Sequence, residues 1–151
     1  MARVVLLDTG PLGLVTHPNA DTKNFRAARW LRDLLTSGVA VRVPEICDYE
    51  LRRELLRAGK VRSIGVLDRY KATLGYLPLT TDAMLQAAAF WSAVRREGKP
   101  TAPDLALDAD AILAGQAATL SAEEDQVVVA TTNVGHLARF VAAEEWQNIL
   151  P

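Results

Sequence analysis

The apolar residues of this chain fall into short unbroken runs, separated by longer stretches with helical periodicity. Arg3–Leu7 is a run rich in Val and Leu, ended by Asp8, Thr9, Gly10 and Pro11. It reads as a buried strand and a turn, with Pro11 at the first position of a short helix. Over residues 24–36, Phe25, Ala28, Leu31, Leu34 and Leu35 recur at helical spacing, and Gly38 stops the pattern. Residues 39–43 read as a second buried strand, ended by Pro44. Helices are expected over 48–58, 63–74 and 82–97, punctuated by Gly59, Gly75 and Gly98, with a short strand near 76–79. After the Pro-containing segment 98–103 the pattern predicts a helix over 108–120 and a strand over 127–131. A helix containing Leu137 and Phe140 follows, then a last short strand with Ile149 and Leu150.

Strands that are apolar throughout and alternate with helices argue for an α/β fold with a parallel sheet covered on both faces. Ligands in such sheets bind beyond the carboxyl ends of the strands, near a topological switch point. Asp8, Glu45 and Asn133 each fall just after a predicted strand.

The length of 151 residues suits one domain spanning 1–151, and no repeat or low-complexity tract suggests a linker. With half of the residues apolar, a core can form without disulfides, and the single cysteine, Cys47, has no partner for one. Asp8 interrupts the first apolar run too early for a signal peptide or a membrane span. A soluble, cytoplasmic protein is expected. The net charge of −1 excludes a global basic field for nucleic acid but leaves room for a local one.

Acids stand at the ends of separate elements. Asp8 ends the first strand, where it serves either as a cap for the next helix or as a carboxylate directed into the crevice. Glu50 and Glu54 share a helix face, as do Arg53 and Arg57, a pattern equally suited to a solvated, salt-bridged surface. Glu50 is nevertheless expected in the first turn of a helix that starts near a strand's carboxyl end, with Glu45 and Asp48 as competitors. Asp108 is placed to be the N-cap of a helix of small and apolar residues, which frees Asp110 in its first turn. Asn133 and His136 follow the third strand, as turn residues or as ligands. No paired cysteines or histidines offer a zinc site, and oxygen-only clusters suit magnesium or manganese.

Leu-Leu-Asp-Thr near the start, Tyr-Glu-Leu after the second strand, Asp-Ala-Ile-Leu-Ala on a late helix and Thr-Thr-Asn before the closing helix resemble the PIN-domain family, in its VapC-like toxin branch. The resemblance covers nearly the whole chain. It implies a three-layer α/β/α sandwich around a mostly parallel sheet. It also implies a homodimer, an antitoxin partner, and Mg2+- or Mn2+-dependent endonucleolytic cleavage of RNA. Asp8, Glu50 and Asp110 match the family's metal-binding acids by position, with Asp108 an adjacent candidate. The family's fourth acid is missing, since Asn133 and His136 occupy a stretch without a carboxylate between Thr131 and Phe140. An uncharged Asn supports a second ion less well, so one well-bound ion is expected. Asn133 and Thr9 would orient a ligand or water. Arg52 and Arg53, with Arg57, Lys60 and Arg62, form the densest basic group and would steer RNA.

Two rivals remain in view. A PIN-like nucleic-acid-binding module without useful catalysis fits the missing acid and the near-neutral charge. A phosphoryl-accepting receiver or a haloacid-dehalogenase-like phosphatase fits poorly, because Thr9 and Gly10 follow Asp8 and no Lys lies in 127–132. Trp30, Trp91 and Trp146 sit among apolar positions and read as core or dimer-interface residues.

Overall fold

The computed structural model describes residues 3–18, 21–97, 104–124 and 126–151, with the side chains of 104–107 outside the description. The expected helix stop at Gly98 and the segment 98–103 lie outside the described residues. Strand β1 (Arg3–Leu7) leads into α1 (Thr9–Thr16) and α2 (Thr22–Thr36), then β2 (Ala40–Pro44) into α3 (Glu45–Arg57) and α4 (Val61–Thr73). Strand β3 (Tyr76–Leu77) precedes α5 (Thr81–Arg96) and α6 (Asp104–Ser121). Strand β4 (Gln126–Thr131) is followed by α7 (Val134–Leu137), β5 (Ala143–Glu145) and a short 3-10 turn over Trp146–Asn148.

The strands pair in the order β3-β2-β1-β4-β5, and every pairing is parallel. Val4, Val5, Leu6 and Leu7 of the central strand are buried, as a strand covered by helices on both faces requires. From β1 the chain moves outward through β2 to β3, then returns to lay β4 on the other side of β1. The switch point is therefore the pair β1–β4, whose carboxyl ends open the crevice expected to bind ligands.

The outer layers are fixed by specific contacts. Asp21 caps α2 by accepting from the Asn24 N–H, and the helix buries Asn24, Ala27, Trp30, Leu31 and Leu34. Phe25, Ala28 and Leu35, expected on that face, are exposed instead. The phase follows Trp30, whose indole donates to the Ile149 carbonyl at 2.8 Å and meets Trp146 edge to face. Helices α5 and α6 pack closely at Gly115, where a Cβ would come within 2.3 Å of the Ala83 carbonyl oxygen. One residue on, buried Gln116 donates to the Leu77 carbonyl at 2.8 Å and accepts from the Ile46 N–H at 3.4 Å, tying α6 to β3 and α3.

Several boundaries differ from the sequence expectation. Helix α1 starts at Thr9, so Pro11 is its third residue, where the missing N–H still costs no helical bond. Helix α3 begins directly after Pro44, three residues earlier than expected, so Glu50 lies in its second turn. Helix α6 begins at Asp104 rather than at Asp108, which makes Asp108 an interior helical residue and not the N-cap. Both aspartates are cap-type residues, and the good helix formers between them let the earlier start prevail. Helix α7 ends at Leu137, leaving Phe140 outside it and stacked on Phe90. The last strand is the polar Ala143–Glu145 rather than Ile149 and Leu150. As an edge strand it is held by backbone bonds to β4, so it shows no apolar pattern. No helix among the described residues is long and apolar enough to cross a membrane.

Candidate active site

Asp8 stands where β1 becomes α1, its N–H still donating to the Ala130 carbonyl in the sheet ladder. The cap reading of this residue applies, and its carboxylate is bonded on both oxygens. Oδ1 accepts from the Thr9 N–H at 2.7 Å and from the Cys47 thiol at 3.8 Å, and Oδ2 accepts from the Thr131 hydroxyl at 2.7 Å. Thr131 is fully buried at the end of β4, and its oxygen also accepts from the Asn133 N–H at 3.0 Å. Gly10 permits this closeness, since a Cβ there would meet the Thr132 hydroxyl at 2.7 Å.

Helix α3 offers several acids, and their partners separate them. Glu45 accepts from the Leu79 N–H at 2.7 Å, and buried Asp48 is bound by Arg52 through two bonds of 2.9 and 3.1 Å. Both are engaged in holding α3 and its neighbours. Glu54 pairs with Arg57 on the exposed face. Glu50 instead accepts from the Thr9 hydroxyl at 2.9 Å, so Thr9 links it to Asp8. Burial and the Asp8 charge push the Glu50 carboxyl up, against the Thr9 bond and the Arg53 charge, which pull it down.

Asp110 approaches from α6. Burial first, then the charges of Asp8 and Glu50, lift its carboxyl to about 6, with His136 opposing. His136 Nδ1 lies 3.4 Å from Asp110 Oδ2, so of the two residues expected near a fourth-acid position it is His136 that meets the carboxylates. Asn133 is exposed before α7, and its side chain makes no cap bond. Asp108 lines a cleft of about 490 Å³ between α5 and α6, with Met84, Trp91 and Ile112. The Trp91 indole N–H there is buried without an acceptor among the described residues.

No family model and no curated protein sequence matches the chain. Solved structures do. The chain is similar to VapBC2 from Rickettsia felis bound to a DNA fragment from its promoter, with TM-score 0.71 and 14% identity over 95% of this chain and 98% of that one. FitAcB from Neisseria gonorrhoeae matches with TM-score 0.69 and 22% identity over 96% and 99% of the two chains. VapC20 from Mycobacterium tuberculosis, a sarcin-ricin loop cleaving toxin, matches with TM-score 0.61 and 16% identity over 91% and 96%. The fold is that of a VapC-like PIN domain.

Within this PIN fold, the oxygen-only donors Asp8, Glu50 and Asp110 suit a hard divalent cation in kind. The upward shifts of Glu50 and Asp110 come first from burial and then from the neighbouring carboxylates, and a bound cation would oppose both. As they stand, however, no group of three or more His, Cys, Asp or Glu among the described residues is drawn together closely enough to hold an ion. The carboxylates would have to turn inward to share one.

The basic residues expected to steer RNA have unequal freedom. Arg52 is bound to Asp48 and Asp68, and Arg57 to Glu54, whereas Arg53 lies over the Tyr49 ring with its charge reaching Glu50. Sequence reasoning gave no role to Thr131 or Cys47, both of which touch Asp8. The strand register Leu7 to Ala130 brings Thr131 alongside Asp8, and that register is not written in either segment alone.

Proposed function

We propose that this PIN-fold chain is a magnesium- or manganese-dependent endoribonuclease and the toxin of a toxin–antitoxin pair. One observation carries the reading. Asp8, Glu50 and Asp110, from three separate elements, lie within electrostatic reach of one another at the switch point of a sheet whose fold is shared with a sarcin-ricin loop cleaving toxin. In this reading the three carboxylates would hold the ion, which when bound offsets phosphate charge and acidifies a water. The Thr9 N–H and the Thr131 hydroxyl restrain the Asp8 carboxylate, and the Thr9 hydroxyl restrains that of Glu50. His136 stands beside Asp110, with Nδ1 3.4 Å from one carboxylate oxygen. Asn133 and Arg53 stand at the rim as substrate contacts, and Arg52 supports α3 rather than RNA. An antitoxin partner, a homodimer and a cytoplasmic location belong to the same reading, the antitoxin because several structures sharing the fold are VapBC complexes.

The dispersed carboxylates favour a second reading, an RNA-binding module without cleavage. Incubating a mixed RNA pool with wild type and Asp110→Asn, each with manganese, magnesium or EDTA, separates the two. Metal-dependent cutting abolished by the substitution is the expected result. RNA retained on the protein but never cut would replace the nuclease by the binding module.

A further inference from the structure

Helix α4 carries charged residues with two different fates. Asp68 is bound by Arg52 of α3 at 2.8 Å, and Lys71 lies 4.4 Å from the centroid of the Tyr76 ring. Both are committed to neighbours. Arg62 and Arg69 are exposed, stand two helical turns apart, and have no ion-pair partner among the described residues. Between them lie Gly65 and Val66, and the four residues with Pro18 line a cleft of about 430 Å³. A Cβ on Gly65 would meet nothing within 4 Å, so the floor of the cleft is bare backbone. Two guanidinium groups flanking an open floor suit a phosphate, which Arg binds through paired N–H donors.

The position of the cleft connects it to the carboxylates. Helix α1 begins at Thr9, beside Asp8 and Glu50, and ends at Thr16, just before Pro18. Its eight residues span about 12 Å, the reach of a few nucleotides of single strand. A polyanion approaching three carboxylates on a chain of net charge −1 needs cations nearby but off the cluster. Arg62 and Arg69 are such cations. We propose that this cleft holds a backbone phosphate of the RNA strand whose scissile bond lies at Asp8, Glu50 and Asp110. The proposal rests on the ribonuclease reading and adds a second contact to it.

Fluorescence polarisation with a labelled single-stranded RNA in EDTA, where binding is read without cleavage, tests it across a salt series. The Arg62→Ala/Arg69→Ala double variant is expected to raise Kd about tenfold near 0.1 M salt. It should also make the slope of log affinity against log salt shallower by about 0.7 to 1.4. Gly65→Glu, which places a carboxylate between the two arginines, should weaken binding similarly, while Gly65→Ala should bind as wild type does. A Lys23→Ala/Arg26→Ala control on α2, at residues lining a different cleft, removes the same charge and should leave Kd within about twofold. Wild-type binding that the α4 variants leave unchanged, or a control that falls as far, overturns the cleft alone. Absence of RNA binding by wild type in EDTA overturns the cleft, whereas the ribonuclease reading falls only if RNA is also left uncut with manganese and magnesium. Polyglutamate bound as tightly as RNA of equal charge, with the same sensitivity to Arg62 and Arg69, assigns the cleft to an acidic peptide and overturns the proposal.

Discussion

Asp8 and Asp110 lie within electrostatic reach of each other, and the protein holds them by different means. Asp8 closes β1 with both oxygens bonded, by a backbone N–H and a thiol on one and a buried hydroxyl on the other. Those bonds also finish the first turn of α1 and the end of β4, so the carboxylate satisfies donors that folding would otherwise bury unpaired. Asp110 sits on α6 among small apolar residues, and burial raises its carboxyl to about 6. Its carboxylate faces a histidine at 3.4 Å and two like charges. Asp8 therefore contributes to the fold, whereas the ionised form of Asp110 opposes it. A destabilising acid beside other carboxylates is what marks Asp110 as a candidate functional group.

The largest test of this contrast replaces each acid. Asp110→Asn should lower RNA cleavage by about a thousandfold, equivalent to several kcal/mol of transition-state stabilisation. The same substitution should stabilise the metal-free protein. A carboxyl raised in the folded state favours folding fully below its unfolded pKa, and that contribution is lost as pH rises through the folded value. For Asp110 the window runs from the ordinary value of 3.8 to about 6, corresponding to at most about 3 kcal/mol. Denaturant titrations in EDTA should thus find Asp110→Asn more stable than wild type at pH 7 to 8, with the gap closing toward pH 4. Asp8→Ala should instead lose about 1 to 3 kcal/mol, by leaving the Thr9 N–H and Thr131 hydroxyl without their acceptor. If both variants move stability the same way, the contrast fails.

Metal addition sharpens the same point. Manganese at a hundredfold excess over its Kd should stabilise wild type by about 2.7 kcal/mol. That gain should be largely absent in Asp110→Asn, even though the variant starts from a higher baseline. A thermal shift equal in the two proteins would place the ion elsewhere.

Next in size is Thr131→Val, which keeps the shape of a fully buried side chain but removes the donor to Asp8 and the acceptor for the Asn133 N–H. It should cost about 1 to 3 kcal/mol of stability. Activity should fall about 10- to 100-fold through a carboxylate no longer aimed, the usual effect of losing a bond behind a metal ligand. Thr131→Ser should restore most of both. A loss of stability with manganese affinity unchanged would show that Thr131 serves the sheet alone.

How much of this could be read in the chain differs between the two halves of the crevice. The central strand β1 matches its expected bounds because an unbroken apolar run ending in Asp-Thr-Gly-Pro has few other uses. The all-parallel sheet follows from the alternation of such runs with helices. Asp8, Glu50 and Asp110 are all legible as candidates, but spacing alone does not set Glu50 apart from Glu45 and Asp48, and it is the Tyr-Glu-Leu resemblance that does. In the structure those two are engaged, by the Leu79 N–H and by Arg52. The start of α6 at Asp104 rather than Asp108 has a weak sequence signal, because both are cap-type residues and only the helix formers between them favour the earlier start. His136 outweighs Asn133 at Asp110 because α7 turns one side chain inward and leaves the other exposed, an orientation a four-residue helix does not announce. Contacts across the sheet, Thr131 to Asp8 above all, depend on register and had no local signal.

The smallest effect belongs to Cys47. Its thiol is fully buried, and burial and the Asp8 charge push its pKa well up, so it stays protonated and donates weakly to Asp8 Oδ1. Cys47→Ser exchanges a weak donor for a strong one at nearly constant volume, and should change stability by less than about 1 kcal/mol. Cys47→Ala removes the donor but leaves the Thr9 N–H on the same oxygen, and should cost about as little in cleavage rate. Thr131→Val acts on the other oxygen, where no second donor stands behind it among the described residues. Cleavage rates ranked wild type, then Cys47→Ala, then Thr131→Val would show that Asp8 is aimed mainly from β4. A Cys47→Ala loss as large as that of Thr131→Val would mean that α3 holds Asp8 as firmly as β4 does, and that the carboxylate is positioned from three elements rather than two.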